Sequence, residues 1–286
     1  MDYAEYKFDD GDWQEKKDIL TIDNEFRLKL GLPRRQDKFT QPWRIPNVPT
    51  ENTAYLRFTF DSDIEVKDAK LAMERPEKAR ILLNGEEQEN QPDGYYVDEF
   101  IKTVPLSGIK KGSNELLLEI PVGRKENLEW CYILGDFGVE VYGDYAHIVK
   151  RQEKLRFGDI TRQTLPFYTG NVTYHLEAEL DEAQEEVVLQ VPHFEAAVLE
   201  VFADGENRGL IAYAPHKLSL GAMEAGAHKI DIVCYENRFN GFGTLHNAND
   251  EYRWYGPDAY RAGGTEWSDS YLVRPAGVLS RVKLLY

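Results

Sequence analysis

The chain has 286 residues, 12% of them aromatic and 29% charged, with a formal net charge of −16 from 50 acidic against 34 basic side chains. That length can bury one large core or two of ordinary size, and the composition is that of a globular protein. Acidity on this scale repels phosphate backbones and anionic lipid surfaces, so neither nucleic acid nor membrane is expected as a partner.

The opening MDYAEYKFDDGDW lacks the basic and apolar regions of a signal peptide. No run of about 18 apolar residues follows that could span a bilayer, so a cytoplasmic location is expected. From Lys17 to Leu30, the residues Ile19, Ile22, Phe26 and Leu30 recur at spacings of three and four, and Gly31 and Pro33 end the run. This predicts one short N-terminal helix. Almost everything else alternates as strands do: Tyr55–Phe60, Ala79–Leu83, Asn114–Ile120, Val187–Val191, Val198–Phe202 and His228–Tyr235. Turn signals at Asn84-Gly85, Lys111-Gly112 and Asp204-Gly205 separate them. Many short strands with frequent turns predict an all-β sandwich. Cys131 and Cys234 have no metal-ligand spacing and read as buried thiols, and the isolated sequon at Asn171 carries no weight.

Internal similarity divides the chain. ILLNG (Ile81–Gly85) resembles VFADG (Val201–Gly205), and Val104–Ile120 resembles Lys217–Val233. Glu129-Trp130 followed by Gly138-Val139 resembles Glu266-Trp267 followed by Gly277-Val278. Two tandem β-sandwich domains are therefore expected, at 1–150 and 151–286, joined through Lys150–Gln163. The first copy uses 18 positions from Gly112 to Trp130 and the second 41 from Gly226 to Trp267, so 23 extra residues fall in a long loop insertion at about 236–266. Long irregular loops in compact domains are often functional.

Within that insertion Arg238, Asn240, His246, Asn247, Trp254 and Tyr255, with Trp267 beside them, combine flat apolar faces with planar hydrogen-bonding groups. Sugars need that combination, because their C–H faces stack on rings while their hydroxyls require paired donors and acceptors. The competing reading is that Trp254 and Tyr255 cover a sandwich edge while Asn240 and Asn247 satisfy turn backbone. Glu129, Trp130, Tyr132, Tyr95, Tyr96 and Asp98 form a weaker set for which packing is the better account. No hydrolase elbow, zinc-protease, Walker or dinucleotide motif occurs, and the six histidines never fall at metal-ligand spacing. No carboxylate pair stands out as a glycosidase acid and nucleophile. No cofactor is expected beyond a structural calcium ion, for which Asp61 and Asp63 at a sandwich edge are the candidates.

FYTGNVTYHLEAEL, VPHFEAAVLEVFADGENRGLIAYAPHKLSLG, IDIVCYENRFNGFGTLHN and WYGPDAYRAGGTEWSDSYLVRPAGVLS resemble the C-terminal galactose-binding-like jelly-roll region of bacterial glycoside hydrolase family 2 and α-L-rhamnosidase-like proteins. ILLNGEE, GYYVDEFIKTVPLSGIKKGSNELLLEIP and LEWCYILGDFGVEVYG resemble the same family's sugar-binding β-sandwich. The resemblance implies jelly-roll domains, carbohydrate as ligand, and a catalytic glycosidase domain in cis or trans as partner. It also implies that the catalytic carboxylates lie elsewhere, so the chain is expected to be a fragment or accessory subunit that does not hydrolyse on its own. The alternatives are a structural scaffold docked on the catalytic domain, or part of a chain that is itself a glycosidase.

Overall fold

The computed structural model describes residues 1–34, 50–249 and 264–286. They form two β-sandwich domains with one short N-terminal helix. No helix among them is long and apolar enough to cross a membrane.

The chain separates into two compact units, Met1–Arg151 with His246–Tyr271, and Gln152–Leu245 with Leu272–Tyr286. The insertion expected at about 236–266 is thus divided. Its first part forms a short helical turn, α2 (Phe239–Phe242), in the second unit, and from His246 to Tyr271 the chain groups with the first.

In the first unit the strands are β1 (Tyr3–Phe8), β2 (Gln14–Asp18), β3 (Asn52–Ser62), β4 (Ala69–Glu74), β5 (Arg80–Leu83), β6 (Glu86–Glu87), β7 (Gly94–Tyr96), β8 (Asp98–Leu106), β9 (Gly112–Val122), β10 (Tyr132–Leu134), β11 (Gly138–Tyr142) and β12 (Tyr145–Val149). One sheet runs β11-β12-β3-β9-β5-β6, with β1 also on β3 and β2 on β1, and the other runs β10-β4-β8-β7. Inward positions of β3, Ala54, Leu56, Phe58 and Phe60, alternate with Tyr55, Arg57 and Thr59, and the inward set meets Leu71, Val104, Leu116 and Leu118 in one core. Removing that much apolar surface from water is the main force holding the sandwich together.

Helix α1 (Ile19–Lys29) closes this core with Ile19, Ile22 and Phe26. Its first turn is capped by Asp18, whose Oδ1 accepts from Leu20 N at 2.9 Å, and Gly31 stands just past its end. On its buried face Arg27 Nε donates to Asp23 Oδ2 at 2.8 Å, and Asp23 Oδ1 accepts from Leu128 N at 2.9 Å.

The second unit holds β13 (Val172–Leu180), β14 (Gln184–Gln190), β15 (Phe194–Glu195), β16 (Val198–Ala203), β17 (Glu206–Ile211), β18 (Lys217–Met223), β19 (Gly226–Tyr235), β20 (Gly277–Val278) and β21 (Lys283–Leu285). They pair as β13-β19-β16-β17, β18-β14-β21 and β15-β20 around their own core, which includes Val187, Leu189, Val201 and Ile232.

A shared hydrogen-bond pattern marks the two units. Asn84-Gly85 (φ 53° and 84°) turns β5 into β6, and Asp204-Gly205 (φ 52° and 83°) turns β16 into β17, the left-handed pair that a two-residue hairpin demands. Asn84 N donates to Glu115 O and its Oδ1 accepts from Glu115 N; Asp204 N donates to Lys229 O and its Oδ1 accepts from Lys229 N. In each unit the turn residue is therefore tied to the long neighbouring strand in the same way.

Candidate functional site

The sequence-derived site residues fall in different surroundings. Arg238 is exposed and belongs to the second unit, where its carbonyl accepts from Phe242 N at 2.9 Å. Asn240 is 5% exposed, and its amide is committed: Nδ2 donates to Arg274 O at 2.8 Å while Oδ1 accepts from Arg274 N at 2.9 Å. It locks a loop in place of offering a hydroxyl partner. Asn247, in the first unit, bridges to Trp267 and donates through Nδ2 to Asn249 O at 3.0 Å, which is turn chemistry. Trp254 and Tyr255 lie outside the described residues.

His246 is 1% exposed and anchors its segment to the first unit. Nδ1 faces Ser268 O at 2.9 Å and Nε2 faces Asp2 Oδ2 at 3.0 Å, while Asp2 Oδ1 accepts from Tyr271 Oη at 2.7 Å. The ring stacks on Trp267 with centroids 4.8 Å apart, meets Tyr3 edge-on at 5.3 Å, and lies 4.8 Å from Tyr271. A carbonyl and a carboxylate only accept, so both ring nitrogens donate and the imidazole is cationic. Burial opposes that charge, but the hydrogen bond to Asp2, the Asp2 charge and the Ser268 carbonyl outweigh it and raise the His246 pKa. Burial likewise pushes the Asp2 pKa up, and the His246 hydrogen bond, the amino terminus and Tyr271 overcome it, bringing it to about 2. A mutually satisfied ion pair of this kind, extended by Tyr271, holds His246 and Tyr271 to Asp2 just before β1. It has no group left for a ligand.

Asp18 sits beside this pair, directly across the β1–β2 ladder from Tyr3. It is 4% exposed, and neither its Oδ2 nor Tyr3 Oη has a hydrogen-bond partner. Burial raises its pKa to about 6 in spite of the bonds from Leu20 and Thr21. No sequence signal marks these two residues; only the strand pairing brings them to the cluster.

The first unit also presents an aromatic face on an edge hairpin. In the β11–β12 ladder Tyr142 lies opposite Tyr145 and Glu140 opposite His147, so all four share one side. Ile148, between them in the alternation, faces the core, which places the four on the outer side. Tyr142 is 63% exposed and Tyr145 is 43% exposed. Their rings lie within 18° and 22° of the plane of His147, at centroid distances of 6.1 and 5.5 Å. Tyr142 Oη donates to Glu140 Oε2 at 2.7 Å and Tyr145 Oη to Asp61 Oδ2 at 2.8 Å, while Asp63 Oδ2 lies 3.8 Å from His147 Nε2. The hairpin turn is fixed by the anchored segment, since Tyr271 N donates to Gly143 O at 2.9 Å. Asp61 and Asp63 thus serve the tyrosine face; among the described residues no group of three or more His, Cys, Asp or Glu is arranged to hold a metal ion.

The weaker aromatic set divides between packing and exposure. Trp130 packs on the core of the first unit and Tyr132 pairs with Tyr96 at 5.5 Å. Trp130 and Trp267, which the internal repeat matches, therefore have different neighbours. Tyr95, Val97 and Phe100 stand out at the β7–β8 hairpin, with Phe100 78% exposed and Val97 at φ 65°, a strained conformation for a β-branched residue.

No protein-family model matches the sequence, and no curated protein matches it. Solved structures that it resembles include a rhamnosidase from Novosphingobium sp. PP1Y, at 15% identity and a TM-score of 0.33 over 83% of this chain and 23% of that one. A β-D-mannosidase from Dictyoglomus thermophilum matches at 14% identity and a TM-score of 0.29, over 82% of this chain and 31% of that one. An anti-sigma factor domain-containing protein from Clostridium clariflavum matches at 8% identity and a TM-score of 0.27, over 83% and 90%. This chain spans less than a third of the rhamnosidase and mannosidase chains.

Proposed function

We propose that the chain is a non-catalytic, carbohydrate-contacting accessory region of a bacterial glycoside hydrolase. Its contact surface is the outer face of the β11–β12 hairpin. The observation that carries this reading is the pair of exposed rings, Tyr142 and Tyr145, each held in orientation by a carboxylate. Rings fixed in this way offer stacking surface at low entropic cost, with polar groups at their rim. Absence of catalysis in this unit is supported by Asp2 and Asp18, the carboxylates whose pKa values are pushed furthest apart among its described residues. Both are occupied in holding backbone and side chains together.

The test is retention on a panel of immobilised polysaccharides and an oligosaccharide array. Tyr142→Ala and Tyr145→Ala should each weaken retention about 5- to 30-fold, the equivalent of about 1–2 kcal/mol for a stacked ring. The melting temperature should stay within a few degrees, because both rings are exposed. Retention unchanged in the double variant would overturn the reading.

A second reading, a scaffold docked on the catalytic domain, rests on the exposed apolar tip Tyr95, Val97 and Phe100. Phe100→Asp would then abolish association with that domain and leave glycan retention intact.

A further inference from the structure

We infer that the Tyr142–Tyr145 face selects a sugar bearing a free amine, an amino sugar in its deacetylated, cationic form. The inference rests on the carbohydrate reading above and names the ligand class of that same face.

Donors and acceptors on the face decide the ligand class. A neutral sugar ring presents hydroxyls that both donate and accept, and its recognition calls for both kinds of group. On this face the phenolic protons of Tyr142 and Tyr145 are already given to Glu140 Oε2 and Asp61 Oδ2. Asp63, a further rim group, is 69% exposed and only accepts. His147 Nδ1 has no partner but is buried and out of reach of a ligand. What the face offers is mainly carboxylate lone pairs and the π faces of two tyrosines, with the Ser270 hydroxyl beside Gly143 at the turn. An ammonium is the complementary group, because it donates three times and accepts nothing.

The rings strengthen the choice. A phenol that donates to a carboxylate shifts electron density into its ring, and an electron-rich ring face attracts a cation within about 6 Å of its centroid. Tyr142 and Tyr145 both do so, on the same side of one hairpin and nearly parallel to His147. Asp144 adds a fourth carboxylate in the intervening turn. Of the two cations that follow β12, Lys150 and Arg151, the second is turned to Asp136, with Nε 2.6 Å from Oδ1. A chain of net charge −16 also draws cationic ligands towards it and repels acidic polysaccharides.

The experiment compares the whole chain's affinity for a β-linked glucosamine oligosaccharide, its fully N-acetylated counterpart and a glucose oligosaccharide of equal length, by titration calorimetry near neutral pH. The amine form should bind about tenfold tighter than either neutral form at low salt, and the preference should shrink several-fold at about 0.5 M salt because the face is exposed. Asp61→Asn and Glu140→Gln should each reduce amine binding about 3- to 10-fold and leave neutral binding within about twofold. Equal affinity for all three sugars, lost in Tyr142→Ala, would overturn the inference while the carbohydrate reading stands. Amine binding undiminished in the Tyr142→Ala, Tyr145→Ala double variant would also overturn it. Binding of none of the three, with no retention on any other polysaccharide, would remove both.

Discussion

Replacing Asp18 by Asn should stabilise the protein at alkaline pH and leave it unchanged in acid. Asp18 is 4% exposed, its Oδ2 has no partner, and burial lifts its pKa from 3.8 to about 6. The folded-state pKa lies above the unfolded value, so the folded state binds the proton more tightly than the unfolded chain. Its stability therefore falls as pH rises from about 4 through 6, and the cost is complete above that window. A shift of about two pKa units corresponds to about 3 kcal/mol. Asn caps a helix about as well as Asp, so the bonds from Leu20 and Thr21 survive. Its amide also places a donor where Oδ2 had none and where Tyr3 Oη lies across the ladder. Urea unfolding at about pH 4 and pH 8 should show a difference near zero in acid and a gain of about 1–3 kcal/mol in base. A variant less stable at pH 8, or a difference independent of pH, would refute the reasoning.

Three further outcomes follow from the same physics. His246→Ala leaves Asp2 ionised and buried without its partner and should cost about 3–5 kcal/mol, whereas Asp2→Leu with His246→Leu should recover most of that loss in thermal unfolding. The wild-type pair stabilises most where both charges exist, above the ordinary carboxylate range and below the raised His246 pKa, so its contribution is lost as pH rises through that value or falls towards 2. In the second unit the Asp204 hydrogen bond and the Glu224 carbonyl raise the His228 pKa, so Asp204→Asn with His228→Asn, which copies Asn84 and Asn114 of the first unit, should flatten that pH dependence and change stability by less than about 1 kcal/mol in denaturant titrations. Gly277→Ala should destabilise by at least about 2 kcal/mol, because φ is 94° and the new Cβ would stand 2.7 Å from the Tyr174 oxygen that accepts from Val278 N.

What was legible in the sequence was whatever depends on residues close to one another in the chain. Period-two alternation locates β3, β9, β16 and β19, and a period near 3.6 locates α1 to within two residues at its start and one at its end, with Gly31 and Pro33 closing the run. Asn84-Gly85 and Asp204-Gly205 become the left-handed turns that their residue types favour. What was not legible depends on pairing across the chain. His246 and Asn240 look like ligand groups because imidazole and amide are equally suited to binding a sugar and to satisfying buried backbone; only Asp2 and Ser268 in one case, and Arg274 in the other, decide between these. Asp61 accepts from Tyr145, 84 positions away, a partner that no local pattern signals.

The charged cluster around His246 also bears on why an irregular segment should be held so firmly. A buried ion pair contributes little net stability beyond what well-packed apolar side chains would supply, since desolvation offsets most of the attraction. An unpartnered Asp18 carboxylate beside it is a further cost. What such a cluster supplies is direction: Asp2 accepts at one geometry from His246 and at another from Tyr271, which sets the position of residues 268–271 along β1. Tyr271 N then fixes the Gly143 carbonyl, and with it the turn that carries Tyr142 and Tyr145. An edge hairpin of five-residue strands is marginal by itself. The bond from Tyr271 N holds that turn from outside, and Tyr271 is itself placed by its bond to Asp2, so the two tyrosines keep their orientation on a face open to solvent.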